Sequence, residues 1–184
     1  MPNQKSPAPP DELRQMIYYE DGNLYWYPQY HKYRRTEKPI GSVNKDGYRR
    51  TRITIDKVHR DYQIHRLVWW LINDEWPDYL DHLNNNRLDN RIENLRTATK
   101  QQNAFNRRPK YNNPLGLLGV EKQRNSKLYK VRIYVDGNNV EFTGYKTKEA
   151  AALARDLASI IFFGDFANFN ILDHQSISID GHRI

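Results

Sequence analysis

The chain has 184 residues, 29 lysines and arginines against 22 aspartates and glutamates, a formal charge of +7 and a mean hydropathy of −0.94, enough for one ordinary domain or two small ones. It contains no cysteine, which excludes disulfide scaffolds, thiol nucleophiles and cysteine-based zinc sites. The longest run of strong hydrophobes, Leu67 to Ile72, is far short of the roughly 20 residues that span a bilayer, and the polar, proline-rich Met1–Pro10 lacks the apolar centre of a signal peptide. The expectation is a soluble, basic, cytoplasmic protein with a modest core, no membrane and a polyanionic partner.

In chain order, a Pro-rich tail over 1–12 precedes strands at Leu24–Tyr27 and Tyr48–Ile55, with Asp21-Gly22 and Asp46-Gly47 as turn signals. Tyr62–Asn73 turns apolar and predicts a helix from about His65, ending before Pro77, with Trp69 and Trp70 as core residues. A second unit, Tyr79 to Arg108, is dense in asparagine: a short strand ends at Asp81-His82, a loop runs over Leu83–Glu93, and a second short strand reaches Thr97. Thr99 can cap a helix carrying Asn103, Asn106 and Arg107. Prolines and asparagines in Pro109 through Gly116 predict a linker.

The third unit begins near Leu117. Over Tyr129–Tyr134, residues Tyr129, Val131 and Ile133 alternate with Lys130, Arg132 and Tyr134, the period of a half-buried strand. Asp136-Gly137 predicts a hairpin onto Val140–Tyr145, and Thr147 caps a helix to about Phe163 with Gly164 as its stop. The alanines at 150, 151, 152, 154 and 158 allow that helix to approach a sheet closely.

The excess positive charge is concentrated. Between Lys100 and Tyr134, nine cations (Lys100, Arg107, Arg108, Lys110, Lys122, Arg124, Lys127, Lys130 and Arg132) face a single acid, Glu121, so the stretch carries +8 and the remainder of the chain −1. A mixed-charge run would be a solvated face; an almost acid-free one fits a nucleic-acid footprint.

Folded as hairpin plus helix, the second unit would bring Asp81 and His82 against Asn103. A carboxylate and an amide oxygen are hard donors suited to magnesium or manganese, and a histidine beside such a donor, itself unligated, can take a proton from water. Taken alone, His82 reads as an ordinary surface or capping histidine, Asn94 as a loop brace bonding backbone, and His65 as packing, cap or phosphate contact. Asn106 is a substitute donor if the helix register differs. The histidines at 31, 59, 174 and 182 fit no ligand spacing.

The string Ile64-His65-Arg66-Leu67, Asp81-His82, Asn90-Arg91-Ile92-Glu93-Asn94-Leu95-Arg96 and Gln102-Asn103 resembles the HNH endonucleases, specifically the homing branch common in phages, over roughly 41–108. The resemblance implies a ββα-metal module with His82 as general base and Asn94 bracing the loop. It further implies Asp81 and Asn103 at one divalent ion, Mg2+ or Mn2+, and cleavage of double-stranded DNA to 5′-phosphate and 3′-hydroxyl ends. A phage-encoded protein would work in the host cytoplasm.

The third unit resembles the Apetala-two/ethylene-response-factor DNA-binding domain through Gly119-Val120, the Lys-x-Tyr-x-Val-x-Ile string from Lys127 to Ile133, Gly144-Tyr145, Thr147-x-Glu149-Ala150-Ala151, and Gly164 with Asn168. That implies a three-stranded sheet laid in the major groove, offering Lys130, Arg132 and Tyr134 with Arg124 nearby. Leu118 and Glu121 stand where plant members often carry arginine.

The expected architecture is α+β: a tail over 1–12, a nuclease module over 13–108 with an N-terminal sheet, a linker over 109–117, a DNA-binding module over 118–172 and a tail over 173–184. The expected DNA contacts are Arg107, Arg108, Lys110, Lys122, Arg124, Lys127, Lys130, Arg132 and Tyr134. A monomer without an obligatory protein partner is compatible with two modules spread along DNA. The alternatives are a catalytically silent DNA-binding regulator on the same fold and an RNA-binding protein; against the latter, no stacking signature of the common RNA modules is present.

Overall fold

This computed structural model describes residues 7–30, 37–106, 109 and 112–172, with short strands at 178–179 and 182–183. Asp21 and Gly22 both take left-handed φ, 43° and 77°, the geometry that lets a two-residue turn follow the twist of its strands. They join β1 (Ile17–Glu20) to β2 (Asn23–Trp26). The sequence predicts a strand only after this turn; Ile17 and Leu24, both buried, explain why the segment before it pairs as well.

A three-stranded antiparallel sheet follows, in the order β3 (Ser42–Val43), β4 (Arg49–Ile55), β5 (Val58–Gln63). β5 replaces the expected continuous approach to a helix. Its turn, Asp56-Lys57, has φ of 50° and 63° but no glycine to announce it. The helix α1 (Ile64–Asn73) starts directly from β5 and stops at Asp74, whose left-handed backbone returns its N–H to the Trp70 carbonyl.

The buried residues Ile64, Leu67, Val68 and Trp70 of α1 share one core with Leu13, Ile17, Leu24, Trp26, Ile53, Tyr62 and Leu95. Leu67 is fully enclosed, a burial that contributes about 1.5–3 kcal/mol. Trp70 is core as its sequence context predicts, while Trp69 packs at the edge. A two-stranded ribbon, β6 (Leu80–His82) and β7 (Leu95–Thr97), pairs Leu80 with Thr97, Asp81 with Arg96 and His82 with Leu95.

The chain divides into two units, Met1–Lys100 and Gln101–Ile184. The sequence predicts a division later, in the linker over 109–117. The difference arises at α2 (Lys100–Phe105): Phe105 stacks on Phe163 with ring centroids 3.9 Å apart, and Gln101 Nε2 donates to Asp136 at 2.8 Å. The helix also ends earlier than expected, so Asn106 is buried beyond it, and Arg107 lies outside the described residues.

In the second unit β8 (Val120–Lys122), β9 (Tyr129–Val135) and β10 (Asn138–Tyr145) form an antiparallel sheet with β9 central. Asp136-Gly137 makes the expected hairpin turn, with φ of 48° and 85°. The helix α3 (Lys148–Phe163) is capped by Thr147, whose Oγ1 accepts from the Ala150 N–H at 3.1 Å. Buried Ala151, Ala152 and Ala158 bring it against Val131 and Ile133. Asp156, also fully buried, accepts the backbone N–H groups of Asn170, Ile171 and Leu172 and so ties down the chain beyond the helix.

Within the expected C-terminal tail, β11 (Ser178–Ile179) pairs with β12 (His182–Arg183). The class is mixed α+β, with small sheets and few helices. No helix among the described residues is long and apolar enough to cross a membrane.

Candidate active site

The ribbon β6–β7 and its loop place His82 and Asp81 by strand alternation, with their side chains in separate environments. His82 is 5% exposed, and its Nε2 lies 3.0 Å from Asn90 Oδ1. An oxygen at that distance accepts, so the ring proton resides on Nε2 and Nδ1 is the basic nitrogen. Burial is the main cause that pushes the His82 pKa below its ordinary value; the Asn90 bond and the Asp81 and Asp89 charges oppose it, and Arg87 adds to it. The ring is therefore neutral, in the state a proton acceptor needs.

Asn94 holds the loop. Its Oδ1 accepts from the Asn84 N–H at 3.0 Å, and its Nδ2 donates to the Asp89 carbonyl at 2.7 Å and to Asn84 Oδ1 at 3.0 Å. Asp89 in turn is gripped by Arg91 through two 2.8 Å bonds and by Asn84, which together draw its pKa down to about 2.

Asp81 is 5% exposed and accepts Arg96 Nη2 at 2.7 Å and Nε at 3.0 Å, both at Oδ2. The pairing follows from register, because Asp81 and Arg96 are direct partners across the ribbon. Sequence reading quoted Arg96 without a role. The described residues contain no group of three or more His, Cys, Asp or Glu side chains placed to share a metal ion. A site with a single carboxylate, completed by amide oxygen, water and phosphate, remains chemically suited to a hard ion. Asn103 lies on α2, which falls largely in the second unit.

His65 resolves differently from the phosphate contact considered for it. It is 5% exposed, its ring meets His82 edge to face at 5.0 Å, and Tyr48 lies 5.3 Å from it and 6.1 Å from His82. Burial, and then the His82 charge, hold its pKa well below the usual histidine value. The unfolded chain protonates this residue at about pH 6.5, whereas the fold resists it. Stability is therefore full above that pH and falls as pH drops toward the depressed folded value. Urea midpoints are expected to fall between neutral pH and about pH 5, less steeply in His65→Gln; identical acid slopes in the two proteins would refute this assignment.

On the second unit, Arg132 and Tyr134 of β9 face outward as their alternation predicts, with Tyr134 61% exposed. Lys130 and Arg132 are not open cations: both pair with Glu121, at 3.6 and 3.2 Å, and with Glu141, at 3.3 and 2.7 Å. Glu141 sits on β10, just past the charge window that the sequence draws attention to. Lys122, Arg124 and Lys127 are exposed and make no ion pair among the described residues. Arg107, Arg108 and Lys110 lie outside the described residues.

The sequence includes Asn90 in the signature string without a role and assigns no site role to Tyr48 or Arg87. The signal for Asn90 was its place eight residues after His82 in the asparagine-rich loop. Tyr48 and Arg87 had no comparable signal, because they come from separate parts of the chain.

Residues 62–105 match the sequence profile of the HNH endonuclease family. The ribbon with Asp81, His82 and Asn94 lies within that matched stretch. The chain is 36% identical over 114 residues to an uncharacterized HNH endonuclease, L560, of Acanthamoeba polyphaga mimivirus, covering 60% of this chain and 58% of that protein. The chain therefore spans little more than half the length of that viral relative. Protein 3.8 of Escherichia phage T7 is 27% identical over 90 residues, 48% of this chain and 74% of that protein. A solved structure titled for DNA binding and cleavage by the HNH homing endonuclease I-HmuI aligns with 78% of this chain and 82% of that one, at a TM-score of 0.35 and 19% identity.

Proposed function

We propose that this chain is a metal-dependent endonuclease of double-stranded DNA, of the homing type, in which His82 activates the attacking water. The observation that carries the proposal is the buried His82 ring with its Nε2 held 3.0 Å from Asn90 Oδ1, the arrangement in which Nδ1 is the basic nitrogen. In this reading Nδ1 takes a proton from water as the oxygen attacks phosphorus, the bond to the 3′ oxygen breaks, and the ends are 5′-phosphate and 3′-hydroxyl. Asp81 supplies the carboxylate donor, and Asn103, by its order in the signature, an amide oxygen. A divalent ion such as Mg2+ or Mn2+, when bound, supplies Lewis-acid charge at the phosphate and the departing oxygen. Asn94 keeps the loop in shape, and Asn90 keeps the base in its tautomer.

The second unit serves in this proposal as an Apetala-two-like DNA-binding module. Lys122, Arg124 and Lys127 neutralise phosphates, and Lys130, Arg132 and Tyr134 meet base edges or backbone from the sheet face once DNA displaces the carboxylates of Glu121 and Glu141. Arg107, Arg108 and Lys110 extend the same basic stretch in sequence. The protein acts as a monomer.

The Asp81–Arg96 ion pair favours a second reading, a DNA-binding regulator whose HNH domain is silent, because it engages the one carboxylate of the proposed metal site. Incubation with duplex DNA and magnesium, followed by denaturing and native gels, decides between the two. Nicked or cut product is expected; a shifted but intact duplex would establish the regulator instead.

A further inference from the structure

The hairpin loop carries two arginines whose charges meet different partners. Arg91 is neutralised by both oxygens of Asp89. Arg87 instead reaches the turn between β3 and β4. Its Nη1 donates to the Asp46 carbonyl at 2.7 Å, and its Cζ lies 4.8 Å over the Tyr48 ring. Gly47 turns the chain there with a φ of 80°, and its Cα lies next to the Arg87 stem, where a Cβ would make ordinary contact with Arg87 Cδ at 3.8 Å.

The seat itself is well braced. Asn44 Oδ1 accepts the backbone N–H groups of Asp46 and Tyr48 at 3.1 and 2.9 Å, and its carbonyl accepts from the Gly47 N–H at 3.0 Å. A carbonyl oxygen and a ring face orient a guanidinium without cancelling its full charge. Arg87 is exposed and forms no ion pair among the described residues. The same Tyr48 ring packs 6.1 Å from the ring of His82.

An exposed arginine ordinarily loses considerable rotamer freedom when it binds. Here the Asp46 bond and the Tyr48 ring already orient the guanidinium in the folded state, one ring away from His82. A guanidinium has five N–H donors in a planar fork matched to phosphate oxygens, and the Asp46 bond engages only one of its nitrogens.

We propose that Arg87, seated on Tyr48 and the 44–48 turn, is a phosphate-binding cation of the nuclease site, holding a non-bridging oxygen at or next to the bond that is cut. The inference rests on the reading of His82 as the base. It differs from a simple brace between loop and turn, because a brace does not couple DNA binding to one phosphate charge.

Arg87→Gln removes the charge, and its shorter amide also gives up the Nη1 bond to Asp46, so the two roles are separated by the salt slope, which loss of a brace alone does not change. Binding is measured in the full chain with His82→Ala as background, on a mixed-sequence duplex over a range of salt. Arg87→Gln is expected to flatten the log–log salt dependence by about 0.9, the contribution of one phosphate. In the otherwise wild-type chain with magnesium, the same substitution is expected to slow cleavage on the order of 10²-fold, and Arg87→Lys to recover part of the loss. An unchanged salt slope overturns the proposal, leaving a brace. A flattened slope with cleavage at the wild-type rate overturns the placement beside the reacting bond. If His82→Ala itself cuts like wild type, the base assignment fails, while the salt slope still judges the phosphate contact.

Discussion

His82→Ala is expected to bind duplex DNA with nearly wild-type affinity and to cut it about 10²–10⁴ times more slowly, the range lost with a positioned general base. The separation follows from the site. His82 is 5% exposed and bonded to Asn90 at 3.0 Å, so it contributes little to a surface that attracts phosphates. Because it packs against the His65 and Tyr48 rings, truncation also leaves a cavity, and melting curves must accompany the rate measurement. Asn90→Ala provides the complementary case: the base remains while its tautomer is released, so cleavage should fall less than in His82→Ala. A His82→Ala protein that is folded and cuts at the wild-type rate would end the assignment of His82 as the base.

Asp81→Ala is expected to abolish cleavage at ordinary magnesium and, separately, to destabilise the fold. The second effect arises from Arg96. Its side chain is 16% exposed and paired with an Asp81 side chain that is 6% exposed, and removing one partner of such a buried pair costs about 3–5 kcal/mol. Asp81→Asn distinguishes the two effects, since the amide keeps an oxygen toward Arg96 but lacks the carboxylate charge for a hard cation. The measurement is the rise in melting temperature as magnesium or manganese is added, which reports binding to the folded state alone. The wild type is expected to rise, Asp81→Asn to rise little, and Arg96→Ala to rise at lower metal concentration because a competing cation is gone. An equal rise in wild type and Asp81→Asn would show that Asp81 is not a ligand.

Much of the secondary structure was legible because its causes are local. Asp21-Gly22 and Asp136-Gly137 turn where left-handed backbone is cheap, Thr147 caps α3 through its own hydroxyl, and the alternation around Val131 and Ile133 divides β9 into an inner and an outer face. Where the local cause was absent, the sequence misled. Asp56-Lys57 turns without glycine, and β5 forms because Tyr62 and Ile53 enter the same core from neighbouring strands. For α2 the local pattern foretold a helix, but the stacking of Phe105 on Phe163, far along the chain, placed most of it in the second unit.

By itself, the sequence determined the composition class, the Asp21-Gly22 turn, the Asp136-Gly137 hairpin, the capped C-terminal helix and the spacing of Asp81, His82, Asn94 and Asn103 that resembles the HNH signature. These depend on backbone preference and on the order of side chains along one segment. Only the tertiary structure decided which groups meet: Asn90 with His82, Arg96 with Asp81, His65 and Tyr48 around His82, Arg87 on the 44–48 turn, and Glu121 and Glu141 against Lys130 and Arg132. Those contacts depend on strand register and packing across separate elements, and a charge or a histidine acquires its chemical character from the groups that surround it.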